Sequence, residues 1–487
     1  MYLPTEPAQD LREDGSRPSQ TGIASVPSLV VFSGGSAANA IVSMLKSITH
    51  NVAYVMPVSD DGGSTSEIVK VVGGPGIGDI RSRLVRLSDT TSREAKAVYE
   101  LLSYRLPATQ PQDQYETSPA KIEWLNILEG NHRLWAGISL PYRETIRAFL
   151  LQFHYKILQE IGGGGLAKTA AWFEFRGGSV GNFFLSGCRL FFDSLEAAVF
   201  QFARVTRCPP DTQVLPIVAT AHNPVAIGVS LRNGSAVHGQ CEISHPGTTT
   251  DPSRSTALQG RSKSMDTSVP DSGPPASLNT SSNLFFSKGH SEVPPLPSPI
   301  RRVFYINSEL AETFPKLNTL VPEHLETKKS IIYSMGSLYT SLLPCLVVAG
   351  VGSLIAQDFV KILLLNGTHD RETAGYTALD FILAITDTLN YSVIAEHGGG
   401  EAVRKPYPPR AYITHVLYAD DGEVDVDVDR IDALGIRCMV VPRMGSMEGC
   451  ERKSASELLR MAGTDVKRVR GHFGTEELRS VLEPILL

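Results

Sequence analysis

No CxxC pair occurs among the six cysteines of this 487-residue chain; Cys188, Cys208, Cys241, Cys345, Cys438 and Cys450 lie far apart. That spacing supplies neither a zinc knuckle nor a disulfide frame, so reduced thiols are expected. No run approaches the roughly 18 uninterrupted apolar residues of a membrane span. The polar, acidic N-terminus, MYLPTEPAQDLREDGSRPSQ, lacks the basic-then-apolar order of a secretory signal. A basic excess is missing too: 45 Lys and Arg against 51 Asp and Glu leave a net charge of −6. This argues against a general binder of nucleic acid or anionic membrane. The expected compartment is the cytoplasm. What the chain does have is 42% hydrophobic and 20% charged residues, enough for one large core or two ordinary ones.

Short β-branched runs alternate with amphipathic stretches from Pro27 onward. Candidate strands are Ser28–Ser33, Val52–Ser59, Gln213–Ala219, Val225–Leu231, Ser330–Ser334, Lys361–Leu365, Ala411–Leu417 and Arg437–Val441. Helices are expected at Ala37–Ile48, Arg93–Leu102, Ile122–Leu158, Leu185–Thr206, Ser341–Ala349 and Tyr376–Thr388. Apolar strands separated by helices imply βαβ crossovers and an α/β fold with a mostly parallel sheet. Residues 1–25 read as a disordered tail. Residues 246–298 read as a disordered insertion, since roughly half are Ser, Thr, Pro or Gly and few are apolar. Strand-like runs at His238–Ile243 and Arg301–Ile306 flank it, so one domain is expected over 26–450, followed by a helical extension at 451–487.

Several junctions carry residues suited to anions and metals. In VVFSGGSAANAIVSML an apolar strand enters Ser33-Gly34-Gly35-Ser36 and then a helix. Glycines let amides approach an oxyanion, and the helix start adds a favourable dipole. Ser36 would cap the helix and Asn39 would face the ligand from its first turn. No GK[ST] follows, so this is not a Walker loop. In VMPVSDDGGSTSEI, Asp60 and Asp61 follow the second strand, where adjacent carboxylates can hold Mg²⁺ or accept a proton; the alternative is a solvated Asp-Gly turn. In GGPGIGDIRSRLVRL, Asp79 could cap a helix while Arg81 and Arg83 sit near its start, a place for bidentate phosphate contacts. RGGSVGNFFL, SMGSLYTSLLPCLVVAGV and LLLNGTHDRETAGYTALDFI are further entries into apolar helices, at Arg176, Ser334 and Leu363. Parallel topology gathers such junctions on one sheet edge.

The order of these segments resembles the 2-phospho-L-lactate transferase (CofD) superfamily, which includes the gluconeogenesis factors. The matching stretches are SGGSAAN, VSDDGGSTS, GIGDIRSRL, Ser179-Val180-Gly181-Asn182, Gly336 to Ser341 and Asn366 to Thr377. The chain departs from the family pattern at Ser36-Ala37, Ile77, Gly178, Ser334-Met335 and Arg371, and its insertion and tail give it a eukaryotic, fungal-type look. The resemblance implies a Rossmann-like three-layer sandwich that binds a nucleotide diphosphate. One branch transfers a phospholactyl group from a GDP- or GTP-derived donor to a hydroxyl and releases GMP; the other binds a UDP-sugar as a regulator.

Under this resemblance, Ser33, Gly34, Gly35, Ser36 and Asn39 would hold phosphates, with Ser337 and Thr340 of the Gly336 loop opposite. Gly78, Asp79, Asn182, Asn366, Glu372 and Thr373 complete the implied nucleotide site. Arg81 would neutralise developing charge, while Asp60 and Asp61 would bind Mg²⁺ or orient an acceptor hydroxyl. Enzyme and sensor both remain open at this point. A homodimer or a regulated partner enzyme is compatible with either.

Overall fold

The computed structural model describes residues 27–35, 37–108, 118–162, 173–220, 223–246, 294–397, 405–442 and 471–487. The expected tail, most of the insertion, Ser36 and Cys450 lie outside the described residues. Strands β1 (Leu29–Phe32), β2 (Val52–Met56), β3 (Gln213–Pro216), β8 (Ser330–Tyr333), β9 (Val360–Leu364), β10 (His415–Ala419) and β11 (Arg437–Val441) form one sheet. Its seven strands run in the order β11-β10-β9-β8-β1-β2-β3. Every pairing is parallel, as in Leu29 opposite Val52 and Leu29 opposite Ser330. The central strands LVVF and VAYVM are wholly buried. Each such apolar side chain contributes about 1.5–3 kcal/mol through burial, so continuous apolar runs here mean a sheet covered on both faces.

The chain leaves β1 toward β2 and β3, then returns to build β8 through β11 on the other side. The direction of winding therefore reverses between β1 and β8, which opens a crevice at their carboxyl ends. Right-handed crossovers place helix α1 (Asn39–Ile48) and the helix Ala378–Glu396 on opposite faces. The Ala378–Glu396 helix is the one described helix long and apolar enough to cross a membrane, and half of its apolar window is buried in the protein. It is a core helix, packed on Val351–Ile355.

Between β2 and β3 lies a helical layer: α2 (Gly63–Val72), α3 (Gly78–Leu87), α4 (Arg93–Ser103), α5 (Pro119–Glu129), α6 (Leu140–Gly162), α7 (Val180–Phe192) and α8 (Leu195–Val205). Its core is aromatic. The Trp124 ring lies 5.0 Å from Phe183, and Phe153 stacks on Phe183 at 4.8 Å. The single helix expected over Leu185–Thr206 is two helices. Asp193 turns left-handed at φ 55 and Ser194 caps α8 by accepting from the Ala197 amide.

Three further expectations are corrected. Val225–Leu231 does not join the parallel sheet; β4 (Ala226–Leu231) pairs antiparallel with β5 (Ala236–His238) and β6 (Ile300–Ile306), with β7 (Glu312–Thr313) at the far edge. The strand-like run His238–Ile243 is β5 followed by α9 (Gln240–Ser244). Gly239 breaks it at φ +91, and Asp61, 180 residues away, accepts from the Cys241 amide at 2.9 Å. A tertiary acceptor for a helix start leaves no local signature. The β10 strand begins later than expected, because Pro409–Ala411 makes a turn before it.

Candidate functional site

Parallel pairing puts the loops after β1, β2, β8 and β9 on one edge. Gly34 passes so near the β8 helix entry that a Cβ there would stand 2.5 Å from Ser341 Oγ. The Gly35 position is filled in the same way by the Asp79 carboxylate. Glycine at both positions is therefore a matter of space. Ser33 Oγ and Gly34 O each accept from Arg83 Nη2, at 3.2 and 3.1 Å, and Ala38 O from Nη1 at 3.4 Å. Fully buried Arg83 also lies 4.8 Å above the Tyr54 ring. This arginine ties the first loop together from below and has no face toward a ligand.

Arg81 differs. Its Nε donates to Asn182 Oδ1 at 3.0 Å, and Asn182 Nδ2 donates to buried Ser64 Oγ at 3.0 Å. Asn182 thus spends both ends of its amide holding Arg81 against α2. Asn39 behaves similarly, donating to Ser82 Oγ at 2.9 Å, while its buried Oδ1 has no partner among the described residues. Asp79 does not cap α3. Ile77 occupies that position without a side-chain bond, and the Asp79 carboxylate turns back onto Gly35.

Asp60 accepts from the Gly62 amide at 3.1 Å. The glycines of GGPGIGD make room for it, since Cβ atoms at Gly76 and Gly78 would fall on the Asp60 backbone and carboxylate. Burial raises the Asp60 carboxyl above the usual range, and neighbouring Asp61 adds to that rise. Burial and then Asp60 push Asp79 up to about 7, against the opposing pull of Arg83, the Gly35 amide and Arg81. Facing them, Arg81 is brought down to about 10 by burial and by Arg105. Asp60 thus feels Asp61 and in turn raises Asp79, while Asp61 has one oxygen committed to α9. Among the described residues no three His, Cys, Asp or Glu side chains converge as a metal cage.

On the β8 and β9 side, Gly336 sits at φ +140, and Asn366 grips its backbone twice. Gly336 N donates to Oδ1 at 3.0 Å and Nδ2 donates to Gly336 O at 2.7 Å. Ser337 precedes the helical turn Leu338–Leu342. Glu372 fills the start of that turn. It accepts from the Tyr339 and Thr340 amides at 2.8 and 3.2 Å, from Thr340 Oγ1 at 2.6 Å and from Ser244 Oγ at 2.5 Å. Burial raises Glu372 to about 7. Thr373 hydrogen-bonds Asp370 at 2.7 Å, shaping the same loop. Arg371, the departure from the family glycine, donates to Glu242 O and Ile243 O and so caps the end of α9. A cavity of about 440 Å³ opens beside this hub, lined by Ser244, His245, Ser337, His369, Asp370 and Arg371.

The structure therefore brings Ser33, Gly34, Gly35, Asp60, Gly78, Asp79 and Arg81 together at the β1–β2 ends. Gly336, Ser337, Thr340, Asn366, Glu372 and Thr373 gather at the β8–β9 ends. Residues 29–444 match the family described as 2-phospho-L-lactate transferase CofD. The chain belongs to the CofD family. An uncharacterized protein of Saccharomyces cerevisiae, YNL011C, is 32% identical over 450 residues, 87% of this chain and 97% of its own. A gluconeogenesis factor of Halalkalibacterium halodurans is 32% identical over 158 residues, 30% of this chain and 44% of its own. A crystal structure of a UPF0052-family protein from Bacillus halodurans superposes with a TM-score of 0.50 at 18% identity, covering 85% of this chain and 92% of that one. That likeness is one of fold, and it agrees with the Rossmann-like expectation.

Within this CofD-family site, reading by motif missed Arg105, Ser244 and Asp370. Arg105 lies in no glycine-rich segment; only the pairing of 104–107 with the RGGSVGN stretch brings it in. Ser244 arrives on α9, from a separate sheet.

Proposed function

We propose that this CofD-family protein binds a nucleoside diphosphate-containing ligand across the β1 and β8 loops and transfers its substituted phosphoryl group to an acceptor hydroxyl. One observation carries the reading. Asp60 and Asp79 both stand near Arg81, and Asp60 also near Arg105, close enough to shift protonation, yet these arginines make no ion pair within 4.0 Å among the described residues. Opposite charges held apart at a sheet's carboxyl edge leave a gap that a charged ligand can bridge. The first glycine loop at Gly34 would receive one phosphate, and the cavity beside Ser337 has the volume for a base or sugar.

Two carboxylates with raised proton affinity are an oxygen donor set suited to Mg²⁺, which keeps several waters; in this proposal Asp60 and Asp79 would hold it, with Asp61 supporting. The bound ion would supply charge neutralisation on the phosphates. Asp60, poised nearer neutral pH than an ordinary carboxylate, would take the acceptor's proton as its oxygen bonds to phosphorus. The bridging P–O bond breaks and a nucleoside monophosphate leaves, with Arg81 stabilising the charge that develops on it. A second reading, a nucleotide-sugar sensor without turnover, has its support in the relatives named gluconeogenesis factor and in the way Glu372 already fills the Tyr339 and Thr340 amides.

Thermal-shift titration with GDP, GTP and UDP-sugars, with and without Mg²⁺, tests binding, since a ligand selective for the folded state raises the melting temperature. A ligand-specific, Mg²⁺-dependent shift is expected. Replacing Asp60 and Asp79 by Asn should remove the Mg²⁺ dependence and any monophosphate release while sparing nucleotide binding. No shift with any of these ligands would overturn the proposal; a shift without monophosphate release from any donor would favour the sensor.

A further inference from the structure

Two contacts fix where the cavity of about 440 Å³ lies. Ser337 in its wall follows Gly336, where a Cβ would stand 3.6 Å from Ala37 Cβ of the first loop. Ser244, also in the wall, ends α9, and at the start of that helix Asp61 accepts from the Cys241 amide at 2.9 Å. Cys241 and Ser244 are three residues apart, a rise of about 4.5 Å. An occupant of the cavity therefore sits next to the first glycine loop and one helical turn from the acidic loop.

The lining is polar. Apart from Pro295 and Ala374, every lining residue carries a hydroxyl, imidazole, carboxyl or guanidinium group. It has no Phe, Tyr, Trp or branched aliphatic side chain of the kind on which a flat base stacks. Much of its hydrogen-bonding capacity is already used. Glu372 takes the Ser244 and Thr340 hydroxyls and two amides. Arg371 gives Nε to Pro294 O at 2.7 Å and Nη1 to the carbonyls of Glu242 and Ile243. An entering anion would also face the Asp370 and Glu372 carboxylates, which disfavours a phosphate here.

Three groups remain for a ligand. Asp370 Oδ1 accepts from the Glu372 and Thr373 amides, both at 3.0 Å, and from Thr373 Oγ1 at 2.7 Å. Its Oδ2 has no hydrogen bond among the described residues. The same turn fixes Thr373 O, which His369 Nδ1 meets at 3.0 Å. A carbonyl oxygen only accepts, so Nδ1 carries the proton and the neutral ring offers Nε2 as a bare acceptor. Ser337 precedes the Leu338–Leu342 turn without a side-chain bond to it, which leaves its hydroxyl available.

We propose that this cavity takes an uncharged polyhydroxyl group, a sugar or polyol, and that His369 is a specificity-determining residue whose Nε2 accepts from one of its hydroxyls. Sugar hydroxyls both donate and accept, so they match two oriented acceptors and one hydroxyl, whereas a phosphate brings acceptors alone. The proposal rests on the diphosphate reading of the neighbouring loop and narrows what lies beside it. The polyhydroxyl group is either joined to the diphosphate or belongs to a separate acceptor molecule, and the two sources separate experimentally.

Calorimetry on the full-length chain compares UDP-glucose, UDP-galactose and GDP-mannose with bare UDP and GDP. Free glucose, galactose and mannose are titrated with and without the bare diphosphates. A sugar in one of these forms should bind with an affinity gain that His369→Phe reduces by about 3- to 10-fold, the loss of one hydrogen bond. Bare diphosphate binding should change less than about twofold in that variant, which also shows that it is folded. His369→Gln keeps an acceptor on a flexible stem and should give an intermediate loss; it serves alone if His369→Phe does not fold. A gain confined to the nucleotide-linked sugar identifies a joined group, and a free sugar binding beside UDP or GDP identifies a separate acceptor. Bare diphosphate binding with no gain from sugar in either form, a gain untouched by both His369 variants, or equal loss for bare diphosphate overturns this assignment alone. If a free sugar binds through His369 and no diphosphate does, the diphosphate reading fails while the cavity assignment stands. Binding of none of these compounds overturns both.

Discussion

Asp79 and Glu372 are both pushed up to about 7 by burial, so each holds a proton in the folded state at pH values where the unfolded chain has released it. At these two groups the folded state binds more protons than the unfolded one between about pH 4 and pH 7. Their contribution to stability therefore falls as pH rises through that window, while burial depresses His154, His245, His324 and His415, whose contribution rises with pH. The Asp79 part is read by difference: from pH 5 to pH 8 the parent should lose melting temperature relative to Asp79→Asn, which keeps the shape without the charge. Mg²⁺ should stabilise more at pH 8 than at pH 5, because it competes with the proton for Asp60 and Asp79. Melting temperatures of the parent and of Asp79→Asn that run parallel over this range would contradict this account. The three arginines show how little residue type says about role. Arg83 and Arg81 lie two apart on α3, yet one is enclosed beneath the first loop and the other turns toward the carboxylates.

At the scale of elements, the site is made by loops that touch one another more closely than side chains allow. A Cβ at Gly34 would stand 2.5 Å from Ser341 Oγ and 2.6 Å from its Cβ, so Gly34→Ala must move either the β1 loop or the β8 turn. Overpacking of this kind costs about 1–3 kcal/mol, and ligand affinity should drop with it. Removing the opposing side chain supplies the control: in a Ser341→Gly background, Gly34→Ala should cost markedly less than it does alone. Denaturant titrations of the four proteins in this cycle would expose additive costs, which would mean that the two loops do not abut. Gly78 carries the same logic for Asp60, whose carboxylate occupies the place of a Cβ and whose neighbour Thr65 Oγ1 would be 2.8 Å away. The short helix α9 is anchored at both ends from outside. Asp61 receives its Cys241 amide, and Arg371 takes its final carbonyls. Removing either support should loosen the wall of the cavity that contains Ser244.

Across the whole molecule, the helix Thr475–Leu486 lies beyond the family match that ends at residue 444, yet it packs on α1, the helix that follows the first glycine loop. Leu478 and Leu482 are fully buried there. Just before it, Gly471 lies against Gly367 of the β9 loop and donates to Asp421 at 3.2 Å. This end of the chain therefore braces both halves of the site from behind. Leu478→Ala should cost about 2–5 kcal/mol, measured by denaturant unfolding, and a change below about 0.5 kcal/mol would mean that the helix is not integral to the fold. The sequence by itself determined the parallel α/β class, because runs such as LVVF and VAYVM separated by amphipathic stretches admit few other arrangements. It also determined which junctions hold glycines, carboxylates and hydroxyls, since those are local properties of strand ends and helix starts. Only the tertiary structure decided the partnerships. Asp60 shares charge with Asp79 because β2 and α3 bring them together. Arg105 enters through a bridge to residues more than 70 positions away, and Glu372 reaches across to fill the amides of Tyr339 and Thr340. Local sequence sets backbone preference through nearest-neighbour sterics and hydrogen bonds, whereas charge pairing and burial depend on segments that only folding makes adjacent.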